Sequence, residues 1–290
     1  ILLKNNTNHI QETIEVSNNF EDIVNSITVF DEPYADPSTY PSYLISQKIS
    51  EKYKVAISGD GGDELLGGYT RIGKMTNPNL KKSNIVETIY SIYPGYFGTG
   101  NQLQVRSKNL KKAHASFFSD KKFLELLKLN DNFIFEDKFF FSENKDVYKS
   151  LLITEYKFFL SEMMLLKVDK TSMANSLEVR SPFVDHKLIE YVLSHESSYH
   201  NSNQQKHILK KYLSSDYDDE FIYRKKQGFV FNLENYIYEN FDQILDVIKE
   251  NKSGLNLELK TLNKLSKFRS RINAIRIWKI LFLEVYFSSL

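Results

Sequence analysis

Val55-Ala56-Ile57-Ser58-Gly59-Asp60-Gly61-Gly62-Asp63-Glu64 runs on into Leu65-Leu66-Gly67-Gly68-Tyr69. An apolar, partly β-branched triplet enters a glycine-rich acidic turn, and an apolar pair follows. That order predicts a short buried strand, a tight loop and a helix start. Such a junction leaves backbone N–H groups pointing outward, ready for an anion. Closely spaced glycines let the backbone approach a ligand and adopt positive φ where needed. Asp60, Asp63 and Glu64 would repel a bare phosphate. Donors for phosphate beside carboxylates for a hard cation suggest instead a magnesium–nucleotide site. On composition alone, the stretch equally fits an ordinary turn and helix cap. It is neither a P-loop nor a dinucleotide fingerprint, since no Gly-Lys-Ser/Thr follows and Gly-x-Gly-x-x-Gly does not fit.

Upstream, Phe20, Ile23, Val24, Ile27 and Phe30 form a helical apolar face, and Ile10 to Val16 alternates weakly like a half-exposed strand. Pro33 and Pro37 forbid a continuous helix between Asp31 and Ser38. Ser38 is a candidate cap for a helix from Tyr40 to Tyr53, ahead of a strand at Lys54–Ser58. Helix, strand, glycine loop and helix make the rhythm of an α/β sheet, with ligands expected at the strand's carboxyl end. About one and a half such units are present, too few to cover a parallel sheet. With Ile1 as its first residue and a polar start, the chain reads as a fragment of a longer protein, incomplete at its N-terminal end.

Over 290 residues, 38 lysines and arginines nearly balance 37 aspartates and glutamates. That balance gives no electrostatic case for a nucleic-acid partner. No apolar run is long enough to span a membrane, and no signal-peptide pattern opens the chain. Cysteine is absent, which excludes disulfides, thiolate metal sites and cysteine nucleophiles and fits a cytoplasmic protein.

Downstream the pattern is irregular to about Asn144. Phe117-Phe118, Phe133, Phe135 and Phe139-Phe140-Phe141 read as packing between short helices, because no basic stripe interleaves them. Tyr148 to Val168 reads as a long buried helix in which Met163 and Met164 fill gaps. Asp185 can cap a helix through Leu193. Asp169, Glu178 and Arg180 sit among apolar neighbours, where unpaired charge is costly, so structural pairing is expected. Arg224-Lys225-Lys226-Gln227-Gly228-Phe229 fits a basic surface run, or a lysine aimed by a glycine turn into a phosphate site. Ile272 to Phe287 is a strongly apolar helix containing Trp278.

Four separated segments then match one family in order: Asp31-Glu32-Pro33 with Ala35-Asp36-Pro37-Ser38; Ser58 to Tyr69; Val168 to His186; and Lys226-x-Gly228-Phe229. The closing Trp278 to Glu284 segment also resembles that family's C-terminal helix. The chain resembles the synthetase domain of glutamine-hydrolysing asparagine synthetases. The resemblance implies an α/β fold: the remnant of an adenine-nucleotide-alpha-hydrolase-like (PP-loop) parallel sheet, followed by a mostly helical portion. The first part, 1–75, would be a partial nucleotide-binding α/β portion, and 76–290 the helical portion of the same domain. It implies that ATP adenylates a carboxylate, aspartate in the archetype, and that ammonia from glutamine converts the acyl-adenylate to an amide, leaving AMP and pyrophosphate. By motif position, Asp63 would hold Mg²⁺, with Glu64 a second candidate. Ser58, Gly59 and Gly61 would contact the nucleotide, and Lys226 would stabilise charge on the α-phosphate and the leaving group. Asp60 stands where archetypes carry glutamate and would handle the acyl-adenylate and incoming amine, one methylene shorter.

Other departures from the family pattern are an absent Ser-Gly-Gly-x-Asp-Ser pyrophosphatase loop and Asn232 where a proline is usual. The glutaminase domain, its expected partner on the missing N-terminal part, is absent too, and without cysteine the chain cannot supply that domain's nucleophile. The chain alone is therefore expected to bind Mg-ATP weakly and make no amide. Other readings are amidation of a sugar or peptide precursor, or a non-catalytic scaffold descended from the synthetase. β-Lactam-forming relatives carry tyrosine where Asp60 stands. A homodimer stays open.

Overall fold

Apolar side chains at helical spacing give helix α1, Phe20–Ile27, in the computed structural model, which describes residues 20–129, 141–142, 144–196, 204–224, 231–255 and 257–290. The alternating segment from Ile10 to Val16 lies outside the described residues. Helix α2 spans Thr39–Ser50 after the proline-bearing bend. Ser38 occupies its N-cap position, but its hydroxyl caps nothing there. It accepts instead a hydrogen bond from Lys167 Nζ at 2.8 Å, while Asp36 accepts the Ser38 N–H at 2.9 Å and pairs with Lys167 at 3.3 Å. A buried lysine needs such partners, and this one ties the bend to a distant helix.

Strand β1, Val55–Ile57, pairs in parallel with β2, Glu178–Arg180, in the register Val55↔Glu178 and Ile57↔Arg180. The two motif segments, far apart in sequence, are thus neighbours in one sheet. Among the described residues that sheet has two strands, and the rest of the fold is mostly helical, so the chain is mixed α/β. The expectation of a buried strand fails: Ile57 is 77% exposed and Val55 45%. Strand side chains alternate between faces, and in so small a sheet the face bearing these two is uncovered. Glu178 and Arg180 pair at 2.8 Å, the pairing expected of them, but on that exposed face rather than among apolar neighbours.

The apolar run from Tyr148 to Val168 is helical throughout but changes register. Helix α4, Val147–Thr154, passes into a π-helix at Glu155–Leu165 and then into α5, Leu166–Met173; α3, Gly62–Leu65, follows the glycine turn earlier in the chain. A π-helix bonds i to i+5, so one face repeats every four to five residues. Phe158, Phe159, Met163 and Met164 accordingly fall together on one cavity. Asp185 caps α6, His186–Ser194, as expected, accepting the N–H groups of Lys187 and Leu188 at 3.0 and 3.1 Å.

The main core forms around the C-terminal helices: α7 (Leu233–Glu239), α8 (Phe241–Lys249), α9 (Leu259–Lys267) and α10 (Arg271–Ser288). Trp278 is fully buried at its centre, with Phe282, Tyr236 and Phe231 around it and α1 completing the layer. Of the expected packing aromatics, Phe117 and Phe141 join a second apolar cluster. Phe133, Phe135, Phe139 and Phe140 lie outside the described residues. Among the described residues, no helix is long and apolar enough to cross a membrane.

Candidate functional site

The glycine loop is built where β1 ends. Ser58 N–H extends the ladder to Arg180 O at 2.9 Å, after which the chain turns away from β2. Gly61 has φ +84°, and a Cβ there would lie 3.0 Å from Val184 Cγ1, so the turn needs glycine twice over. Phe183 packs on Gly62 from the same side, and Ser181 Oγ donates to the Asp60 carbonyl. The second motif therefore forms the floor of the first. No hydrogen bond among the described residues uses the N–H of Gly59, Asp60 or Gly61, so three consecutive amides remain available for an anion.

Asp60 is half-buried, and its carboxylate accepts the Ser58 hydroxyl at 2.7 Å. Asp63, on the first turn of α3, pairs with Lys206 Nζ at 3.0 Å. The backbone of Gly68 lies against this pair: its N–H donates to the Asp63 carbonyl at 2.7 Å, and any Cβ would strike the Asp63 carboxylate. Glu64 is buried and accepts the Tyr69 hydroxyl at 2.6 Å. Burial pushes the Glu64 carboxyl above its ordinary value, partly opposed by that hydrogen bond. The Tyr69 hydroxyl is raised as well, first by burial and then by Glu64. Ser58, Gly59, Gly61, Asp60, Asp63 and Glu64 are thus held on one loop; Lys226 and Gly228 lie outside the described residues.

Among the described residues, no cluster of three or more histidine and acidic side chains could enclose a metal. Asp63 nonetheless fits magnesium, which takes one or two protein carboxylates and completes its shell with phosphate and water.

Lys206 and the support behind Tyr69 were not read from the sequence. Arg71 lies over the Tyr69 ring at 3.9 Å and forks onto Glu155, its Nε 2.6 Å from Oε1 and its Nη2 on Oε2. His114 Nε2 meets Glu155 Oε1 from the other side at 2.7 Å. Burial pushes the Glu155 carboxyl up, but hydrogen bonds from Arg71 and His114 outweigh it and hold the group below the usual carboxylate range. Each of these residues comes from a different segment with no local pattern around it.

Gly67, at φ +65°, faces Tyr148: a Cβ would sit 2.1 Å from its hydroxyl, which burial pushes up to about 12. Gly67→Ala should therefore cost about 1–3 kcal/mol through backbone strain and displacement of Tyr148. A lower urea midpoint at constant m would show it; an unchanged midpoint would mean that the loop absorbs the methyl group.

This motif-built loop, floored by a second motif, finds its match in known proteins. The profile of the family described as Asparagine synthase matches residues 3–279, and the chain belongs to that family. It is 25% identical over 280 residues to asparagine synthetase [glutamine-hydrolyzing] 1 of Bacillus subtilis (strain 168), covering 89% of this chain and 44% of that protein. Asparagine synthetase [glutamine-hydrolyzing] 3 of the same organism is 29% identical over 189 residues, covering 63% and 27%. A putative asparagine synthetase [glutamine-hydrolyzing] 2 of Methanocaldococcus jannaschii is 41% identical over 51 residues, covering 17% and 10%. The chain thus spans less than half the length of these relatives.

Proposed function

We propose that this chain carries the synthetase chemistry of an ATP-dependent amidotransferase, activating a carboxylate, aspartate first among candidates, as its acyl-adenylate and converting it with ammonia to an amide. The observation that supports this reading most is the convergence of three free amides, Asp60 and Asp63 at the carboxyl end of β1. Open α/β sheets bind ligands at such an edge. We read β1 and β2 as part of a PP-loop-type nucleotide-binding sheet, with 1–75 and 76–290 as its α/β and helical portions.

The free N–H groups of Gly59 to Gly61 would receive phosphate oxygens, with Ser58 on the same turn. Asp63 would hold magnesium, which when bound neutralises pyrophosphate as a leaving group. Glu64, buried under Tyr69, would position the start of α3 rather than reach the ion. Lys206, beside Asp63, would add positive charge near the phosphates. Asp60 would orient the amine and take a proton from the tetrahedral intermediate, with the Ser58 hydroxyl fixing its rotamer. Ammonia would come from a glutaminase domain outside this chain, which contains no cysteine.

The test is incubation of the full-length protein with Mg-ATP, ammonium and aspartate. Equal yields of AMP and asparagine are expected; ADP as the nucleotide product, or no amide from any carboxylate offered, would overturn the reading. Asp60→Asn should slow amide formation about a hundredfold, the lower end of what a positioned general base supplies. ATP–pyrophosphate exchange should change much less. Undiminished amide formation would remove Asp60 from the chemistry.

A further inference from the structure

Away from the glycine loop, α10 carries a lysine whose charge is left over. Lys279 is half-buried, and among the described residues no hydrogen bond or ion pair uses its ammonium. Burial holds that ammonium below lysine's ordinary value, with Asp120 pulling it up and Arg276 pushing it down. Asp120 makes no ion pair with it and is bonded at both oxygens by Arg276, at 2.7 and 2.9 Å.

Lys279 stands in the wall of a cavity of about 890 Å³, a volume typical of small-molecule sites. Phe117, Phe158, Phe159, Met163 and Leu283 give the cavity its apolar lining, several of them presented by the π-helix. On another side, Lys279 lines a smaller cavity of about 170 Å³ with the polar side chains of Thr99, Asn101 and Ser116. Among the described residues, four other charged side chains line the large cavity. Arg71 is bound to Glu155 and Asp36 to Lys167, while the lining carboxylates Glu32 and Glu162 are exposed to solvent. None of Ser58 to Glu64 lines it, so it is separate from the glycine loop.

We propose that this cavity binds an amphipathic monocarboxylate, its carboxylate on Lys279 and its apolar body against the phenylalanine and methionine lining. A neutral apolar ligand would leave the ammonium desolvated and unpaired, which is costly. A phosphate dianion would find one uncommitted cation among the described lining residues, where charge-assisted recognition of a dianion favours more. A single carboxylate matches the charge, and the lining takes the remainder of the molecule.

The experiment is calorimetric titration of the full chain with decanoate and, in parallel, with decanol. Decanoate should bind the wild type, and Lys279→Met should weaken it at least about tenfold, the loss of one charge-assisted contact. Lys279→Arg should restore most of the affinity, and decanol should not distinguish wild type from Lys279→Met. Leu283→Trp, which fills the cavity and leaves the lysine, should abolish binding of both probes with the circular dichroism spectrum unchanged. No decanoate binding to the wild type overturns the proposal. So does Lys279→Met or Leu283→Trp binding decanoate as the wild type does.

Discussion

Glu155→Ala should lower the unfolding free energy by about 3–5 kcal/mol, the usual consequence of removing one partner from a buried charge network. Glu155 is fully buried and Arg71 partly so, and their pairing is bidentate. Without the carboxylate, the guanidinium stays lodged between the rings of Tyr69, Phe118 and Phe159, and His114 loses the same acceptor. Urea denaturation monitored by circular dichroism reads the loss. A change below about 1 kcal/mol would mean that the network is solvated in a way its burial denies. The pH dependence has a definite sign. Arg71 and His114, against burial, hold the Glu155 carboxyl below its unfolded value of 4.5. Its stabilisation is therefore complete above that pH and is lost as pH falls through the folded value. Glu64, raised by burial, contributes with the opposite sign, so the informative quantity is wild type minus Glu155→Gln. That difference should shrink on acidification below pH 4.5.

Lys226→Ala should reduce ATP–pyrophosphate exchange roughly a hundred- to thousandfold, or about 3–4 kcal/mol, as expected for a preorganised charge that matters most while the leaving group departs. The neighbouring residues define the controls. Arg224 is engaged over the Phe221 ring at 4.6 Å, and Phe231 is buried in the main core against Tyr40 and Trp278. Both flanking residues are thus held in place, and Lys225 shares the charge of Lys226 but not the Lys-x-Gly-Phe register. Lys225→Ala should change the exchange rate by less than about threefold, as substitutions of solvated surface charges usually do. Similar small effects from both substitutions would remove Lys226 from the proposed phosphate site.

What could be read in advance followed locality. Val55 to Tyr69 announces strand, turn and helix because each signal sits beside the next, and Asp185 announces its cap for the same reason. Ser38 shows the limit: its residue type suits a cap, yet Lys167, more than a hundred positions away, claims its hydroxyl. Ile57 looked buried because β-branched apolar residues usually are, but exposure is decided by what lies across the sheet. Lys206, Arg71, His114 and Glu155 stand alone in their segments, and only tertiary contact makes them a site. The π-helix was hidden because its residues satisfy an α-helical pattern equally well.

The parallel pairing of β1 with β2 also sets a timetable. Val55 and its partner Glu178 lie 123 positions apart, and the loop's floor, Ser181 to Val184, comes later still. During synthesis at about 5–20 residues per second, the glycine turn waits roughly 6–25 s before its floor has even been made. Closing so distant a contact is also entropically slow, so the loop with its unbonded amides should be among the last features to mature. Any ligand arriving early would meet an unsupported turn, and protection of the Ser58 amide from hydrogen exchange would mark the moment β1 and β2 have joined.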